Sequence, residues 1–260
     1  MEYFIADPEG NITAFVPGPP DQQAAERLLA LDEIKIEQVA FLRPPDRGGH
    51  IKCDMAGGEF CGNACRAAAF YYARTQERLK TAEAAEVLVE MSGTSQDLVK
   101  VTVLLQQGTA FAHVPLPQRI ITLECEGLRL DAVVFEGIAH IVTPSSLRGS
   151  VCLSKELMGE LCRRLGTAAL GVMFLSEDHH LEPVVWVDQI GSLIRENSCG
   201  SGSAACAWWL SRDLKQGYRE YRFIQPGGTL TVMIDRSTAG CNLQIGGRVR
   251  LLDDPFWRKL

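Results

Sequence analysis

The chain carries one small cysteine motif twice, as Cys61-Gly62-Asn63-Ala64-Cys65-Arg66-Ala67-Ala68-Ala69 and as Cys199-Gly200-Ser201-Gly202-Ser203-Ala204-Ala205-Cys206-Ala207. In both, a cysteine followed by glycine and small polar residues runs into an alanine-rich stretch that reads as a helix. A cysteine at a helix N-terminus lies beside unpaired backbone N–H groups and the positive end of the helix dipole. Both are expected to lower its pKa and favour the thiolate near neutral pH. A thiol with a reference pKa of about 8.5 can then act as base or as acid. Two such groups, one in each half of the chain, suit a particular reaction. One takes the proton from the α-carbon of an amino acid on one face, and the other returns a proton on the opposite face, which inverts the centre. The two thiols would share one proton, titrate as a coupled unit and face each other across a cleft between the halves. Backbone N–H groups at the two helix starts (Gly62, Gly200, Ser201) would bind a carboxylate and stabilise the negative charge that develops as the proton leaves. Such chemistry needs no cofactor, and no lysine signature for a pyridoxal group stands out.

The elements that must position these cysteines repeat as well. Tyr3 to Ile5, Ile12 to Val16, Val39 to Leu42 and His50 to Met55 read as strands, with Asp21 capping a short helix through Leu29. After the first motif come Val87 to Met91, a turn at Ser92-Gly93, and Leu98 to Val103; after the second come Tyr221 to Ile224, the turn Gln225-Pro226-Gly227-Gly228, and Leu230 to Ile234. Gly93 lies 32 residues beyond Cys61 and Gly228 lies 29 beyond Cys199. Strand, Cys-Gly turn, alanine-rich helix and hairpin thus occur twice. The proline-bearing stretch His113-Val114-Pro115-Leu116-Pro117 divides the chain into 1–117, carrying Cys61, and 118–260, carrying Cys199, with the last strand a candidate to return to the first half. The second half opens with strands near Ile120 to Leu123 and Leu128 to Phe135, and a helix is predicted over Leu153 to Leu165. The fold class expected is α+β: two pseudo-symmetric domains, each a curled mixed or antiparallel sheet around a central helix.

Composition removes other classes. The net charge of −6 and the lack of a basic stripe argue against a nucleic-acid partner, and no apolar run reaches the length of a membrane span. The N-terminus lacks the pattern of a signal peptide, and nine cysteines at irregular positions make a poor disulfide framework. A reducing cytoplasm with free thiols is the expectation.

Cys61-Gly62-Asn63-Ala64-Cys65-Arg66 and Ser198-Cys199-Gly200-Ser201-Gly202-Ser203-Ala204 resemble the two cysteine motifs of the diaminopimelate epimerase superfamily, and the resemblance spans most of the chain. It implies a cofactor-independent racemase or epimerase using two cysteines, acting on a small-molecule amino acid, and a homodimer. Gly10-Asn11 is similar to the family's N-terminal substrate contact, Glu37-Gln38 to an acid-glutamine step whose glutamine lines the site, and Pro226-Gly227-Gly228 to a late turn. Asn63 reads as a donor to the substrate carboxylate, or as a residue that merely satisfies the turn, the first being preferred.

Departures bear on the substrate. The family's Gly-Asn-Pro-His segment is here Gly137-Ile138-Ala139-His140, and a later asparagine is replaced at Met173. The Glu-Arg pair before the second motif has no clean counterpart; Glu196, in Ser192-Leu193-Ile194-Arg195-Glu196-Asn197-Ser198, is the acid available there and is taken as a substrate contact. Losing polar groups that would hold a distal charge disfavours diaminopimelate. Glu37 could instead receive a basic or imidazole side chain, or serve only as a local hydrogen-bond acceptor. The sequence is most similar to the histidine-racemase-like branch, so histidine is the first substrate expected. Diaminopimelate itself and a non-amino-acid substrate remain open.

Duller readings compete. Cys53, Cys65, Cys125, Cys152, Cys162, Cys206 and Cys241 read as small core hydrophobes. Arg66 reads as half of a structural ion pair, His140 equally as a residue behind the site or a satisfied core histidine, and Trp208-Trp209 as helix packing. A zinc site from His50, Cys53, Cys61 and Cys65 has suitable ligand types, but its spacing forms no paired knuckles and leaves Cys199 unexplained. A redox protein joining Cys61 to Cys199 lacks the Cys-x-x-Cys pattern.

Overall fold

A computed structural model describes residues 1–96, 98–125, 127–150, 153–188, 191–238, 240–252 and 258–259. Cys152 lies outside the described residues. The chain divides into two compact units: Met1–Val114 together with Gly246–Leu260, and Pro115–Ile245.

The first unit is built from β1 (Glu2–Asp7), β2 (Thr13–Pro17), α1 (Gln22–Leu29), β3 (Gln38–Arg43), β4 (Ile51–Met55), α2 (Gly62–Thr75), the single turn α3 (Glu77–Lys80), β5 (Ala85–Met91), β6 (Val99–Leu104) and β7 (Thr109–His113). These strands line up as β7-β6-β5-β4-β3-β2-β1 in a mixed sheet. The β2–β3 and β4–β5 pairs are parallel and the others antiparallel. Helix α1 starts where Asp21 Oδ1 accepts the N–H groups of Gln23 and Ala24 at 3.0 and 3.2 Å, and buries Ala24, Ala25 and Leu28. Helix α2 is buried on nearly every side and packs on β4, β5, β6 and β7. A helix apolar all round belongs inside a domain, and Ala67, Ala68 and Ala69, each fully buried, let the strands approach closely.

The second unit holds β8 (Arg119–Cys125), β9 (Leu128–Val134), β10 (Ile138–Pro144), α4 (Lys155–Leu165), β11 (Ala169–Leu175), β12 (Leu181–Val187), β13 (Ser192–Arg195), α5 (Gly200–Leu210), the hairpin β14 (Gly217–Gln225) and β15 (Gly228–Ser237), and β16 (Gly240–Arg248), along which the chain leaves this unit. One sheet runs β13-β12-β11-β10-β9-β8, with only β10 and β11 parallel. Helix α4 begins at Ser154, whose Oγ accepts the Leu157 N–H at 3.2 Å, and sets Met158, Leu161, Cys162 and Leu165 against the core. Helix α5 packs on β9, β10, β11, β14 and β15 and is the buried counterpart of α2. After β16 the chain pairs with β1 through β17 (Arg250–Leu251) and β18 (Arg258–Lys259).

The architecture is α+β and rich in sheet. Cys53, Cys65, Cys125, Cys162 and Cys206 are buried as core residues, whereas Cys241 is only half-buried on β16, because that strand's face there is partly open. Trp209 does more than pack: its Nε1–H donates to Asp131 Oδ2 at 2.8 Å. Among the described residues no helix is long and apolar enough to cross a membrane.

Candidate active site

In the first unit the site starts at a backbone switch. Cys61 is extended, with φ −130° and ψ 108°, and α2 begins at the next residue. Its Sγ accepts the Ala64 N–H at 3.4 Å and its thiol donates to Gln38 Oε1 at 3.1 Å. The backbone N–H groups of Glu37 and Gln38 both reach Ile12 O, at 2.9 and 3.2 Å, which fixes residues 37 and 38 beside Asn11. Asn11 Nδ2 donates to Glu37 Oε2 at 3.2 Å, and Asn11 is buried. The turn before it depends on Gly10, at φ 87°, whose N–H meets Asp7 Oδ1 at 2.5 Å. Asn63, buried in the first turn of α2, accepts a hydrogen bond on Oδ1 from Arg66 Nη2 at 2.9 Å.

The hairpin after α2 clamps the segment before Cys61. Ser92 Oγ accepts the Met55 N–H and donates to Glu59 O, both at 2.9 Å. Gly93 follows at φ 67°, and a β-carbon there would collide with the backbone of Glu59 and Phe60.

The second unit repeats the device with different side chains. Cys199 is extended, with φ −118° and ψ 108°, and α5 begins at Gly200. Its N–H donates to Gln225 Oε1 at 2.8 Å, Gln225 Nε2 donates to Ser203 Oγ at 2.9 Å, and Ser203 Oγ donates to Cys199 O at 2.7 Å. Gly227 N–H, in the same hairpin turn, donates to Asn197 O at 2.8 Å. Cys199 Sγ lies 3.7 Å from Ser201 Oγ, and Ser201 Oγ lies 3.0 Å from His140 Nε2. Met173 fills the space between Gly171 and Gly202: a β-carbon on Gly202 would strike the Met173 sulfur and come within 3.2 Å of Cys199 Sγ. His140 is fully buried, and burial pushes its pKa down to about 3, so the imidazole is neutral at physiological pH.

The electrostatics of Cys199 correct the expectation drawn from the helix terminus alone. The thiol is 5% exposed, and burial pushes its pKa well above the ordinary value. Glu196 pushes the same way, through its charge and by accepting a hydrogen bond from the thiol; contacts from the Gly202 N–H and from Ser201 oppose this without reversing it. Cys199 is therefore held as a thiol.

Asn11, Glu37, Gln38, Cys61, Gly62 and Asn63 thus gather in one unit, and Glu196, Cys199, Gly200 and Ser201 in the other. Sequence reasoning missed the capping role of Gln225; its only signal was its place just before the Pro226-Gly227-Gly228 turn. Among the described residues the ion pair expected of Arg66 is not formed; its guanidinium meets an amide and a carbonyl instead. Among the described residues no group of three or more His, Cys, Asp and Glu side chains could hold a metal ion, and His50 Nδ1 accepts the Leu88 N–H at 2.9 Å. The eight described cysteines are free thiols.

Comparison with known proteins assigns the class. A hydroxyproline epimerase from Agrobacterium vitis, solved with bound trans-4-hydroxy-L-proline, superposes with a TM-score of 0.70 at 15% identity over 100% of this chain and 90% of that one. The fold is that of racemase-type isomerases, and the chain is an isomerase of that kind. A histidine racemase from Staphylococcus aureus is 26% identical over 267 residues, covering 96% of this chain and 94% of the relative. Another from Fusobacterium nucleatum is 27% identical over 249 residues and 90% of each. The family model described as the histidine racemase CntK N-terminal domain matches residues 1–253, and the chain belongs to that family.

Proposed function

We propose that the chain racemises histidine without a cofactor, with Cys61 and Cys199 as the two acid/base groups. The observation that carries this reading is local and doubled. Each cysteine is the extended residue that opens a buried helix, and the hairpin that follows ties down Glu59 before Cys61 in one unit and the Cys199 N–H itself in the other. A thiolate removes the α-proton, the electron pair delocalises into the carboxylate, and the other thiol delivers a proton to the opposite face. The enzyme ends with its single shared proton on the opposite cysteine, so no net oxidant, reductant or group donor is consumed. Backbone N–H groups at Gly62, Gly200 and Ser201, with the Asn63 amide, suit the α-carboxylate and its growing charge. Gln38 accepts from the Cys61 thiol and orients it, and burial, with Glu196 adding to it, keeps Cys199 protonated until it is needed as the acid.

Glu37, tied to Asn11, is the acceptor suited to an imidazole N–H. Met173, buried beside Cys199, gives that wall an apolar surface that offers nothing to a distal ammonium or carboxylate. Histidine therefore suits the site better than diaminopimelate does. Free thiols throughout the described residues suit work in a reducing cytoplasm.

The test is α-proton exchange of single amino acids in deuterium oxide, with a chelator and no added cofactor. Exchange and racemisation are expected with histidine first. Cys61→Ser and Cys199→Ser should each lower racemisation by roughly a hundred- to ten-thousandfold, the usual worth of a positioned acid or base. Full racemisation by both variants would refute the two-thiol mechanism.

A further inference from the structure

We propose that His140 is a positioning residue for Cys199: it donates from Nε2 to Ser201 Oγ, and so turns the Ser201 hydroxyl hydrogen onto the Cys199 sulfur, where it supports the thiolate when this cysteine is the base. The acid/base role of Cys199 is taken from the function proposed above. His140 Nε2 lies 3.0 Å from Ser201 Oγ, which lies 3.7 Å from Cys199 Sγ.

Where each hydrogen sits follows from the other edge of the ring. His140 on β10 pairs in register with Gly171 on β11. A β-carbon on Gly171 would lie 2.3 Å from His140 Nδ1, so in the glycine a Cα–H occupies that direction and points at the nitrogen. Nδ1 is buried and has no hydrogen-bond partner among the described residues. An N–H there would face a C–H, which accepts nothing, whereas a lone pair is tolerated. Burial pushes the His140 pKa down to about 3, which keeps the ring neutral with a single N–H. That hydrogen is therefore on Nε2, and Ser201 Oγ accepts it.

The serine hydrogen is then directed as well. Ser203 and Ser211 return theirs to carbonyls four residues back, at 2.7 and 2.8 Å. Ser201 makes no such bond among the described residues; its neighbours are His140 and the Cys199 sulfur. The Cys199 thiol gives its own hydrogen to Glu196, which leaves the sulfur to accept from Ser201. Cys199 thus stands between an acceptor, Glu196, that favours the thiol and a donor, Ser201, that favours the thiolate. A group that is acid in one direction and base in the other needs both. Met173, which closes on the same space from β11, brings no charge to it.

The experiment needs no substrate. Iodoacetamide alkylation of Cys199 is followed against pH in the full chain carrying Cys61→Ser, to which Ser201→Ala, His140→Leu, His140→Gln or Ser201→Ala with His140→Leu is added. Ser201→Ala should move the profile up by roughly one pH unit, the loss of one hydrogen bond to a charged sulfur. His140→Leu should move it the same way and no further, and the double variant should match Ser201→Ala alone. His140→Gln keeps a donor and should restore the original profile. An unmoved profile in Ser201→Ala would overturn the proposal. So would a His140→Leu shift that adds in full to that of Ser201→Ala, because the histidine would then act by another route, and so would a glutamine that behaves as the leucine does. Should His140→Leu fail to fold, NMR of the imidazole nitrogens in the wild type decides. The His140 signals, identified by their loss in His140→Gln, should be those of the Nε2–H tautomer, and an Nδ1–H tautomer would overturn the proposal. Shifts as expected in a chain that racemises no amino acid would sink the racemase reading and leave this hydrogen-bond chain standing.

Discussion

Gln225 caps the helix that Cys199 opens: its Oε1 takes the Cys199 N–H at 2.8 Å while its Nε2 donates at 2.9 Å to Ser203, one turn into α5. The glutamine comes from the hairpin turn after the helix, and in the first unit Ser92 of the corresponding turn holds Glu59 and Met55 before Cys61. This explains why a glycine-bearing turn follows each cysteine at a similar distance. The helix and the returning strand have to be long enough to bring the turn back to the residue before the helix. Gln225→Ala leaves a buried N–H unpaired and should cost about 1–3 kcal/mol of stability. Urea unfolding measures it, and racemase activity should fall with it because the Cys199 backbone is released. A variant as stable as wild type would show that the cap carries no weight.

Gly93 is required on two counts. Its φ of 67° strains any side chain, and a β-carbon would meet backbone atoms of Glu59 and Phe60, which cannot rotate aside. Gly93→Ala should destabilise by at least about 2 kcal/mol and lower activity, since the segment leading into Cys61 has to shift. A melting temperature within a degree of wild type would contradict this.

How much of this was legible in the sequence follows from physical range. The cysteine starts of α2 and α5 could be read because a cap and an alanine run are local signals, and the strands around them follow from local alternation. The pairing of Ala6 with Leu251 is not local, and nothing in either segment names its partner, so the return of the C-terminal residues to β1 was open. The meeting of His140, Ser201, Met173 and Cys199 joins three separate elements and exists only once they pack. The thiol pKa was misjudged for Cys199 because the helix terminus is visible in sequence, whereas the depth of burial that outweighs it is not.

His140 gives the fold a pH dependence with a defined sign. Its folded pKa, about 3, lies below the unfolded value of about 6.5, so the unfolded chain binds the extra proton between them. Stability from this group is complete above the unfolded pKa and is lost as pH falls toward the folded one, by at most about 1.4 kcal/mol per pH unit. The melting temperature should drop on going from pH 7 to pH 4, and His140→Gln should flatten that drop. Parallel curves for the two proteins would mean that the imidazole is not held neutral.

On the proposed reading, Glu37 is the residue on which substrate choice should turn. Glu37→Gln keeps an oxygen for the Asn11 Nδ2 bond of 3.2 Å but removes the charge offered to an imidazole. We expect kcat/KM for histidine to fall roughly tenfold to a hundredfold, while slow α-proton exchange of neutral amino acids is unchanged. An equal loss for every amino acid would assign Glu37 a general role in holding the site, not one in selecting the side chain.

Glu196 adds to the effect of burial on the protonation of Cys199, and its share should be separable from the cysteine's own chemistry. Burial raises the thiol pKa first, and the carboxylate adds to it by repelling the thiolate and by accepting the thiol proton in a hydrogen bond. Glu196→Gln abolishes the repulsion and weakens the acceptor while leaving burial in place, so the Cys199 pKa should move down but stay above the ordinary thiol value. Alkylation of Cys199 by iodoacetamide, followed by mass spectrometry in a Cys61→Ser background, should set in at lower pH in the variant. Because a thiol that deprotonates more readily is the stronger acid and its thiolate the weaker base, the direction of racemisation that uses Cys199 as the base should slow more than the direction that uses it as proton donor in single-turnover measurements started from each enantiomer. At equilibrium the two enantiomers must still be equal, so the asymmetry has to be compensated in binding, and KM for one enantiomer should shift with it. An unchanged alkylation profile would remove Glu196 from this role.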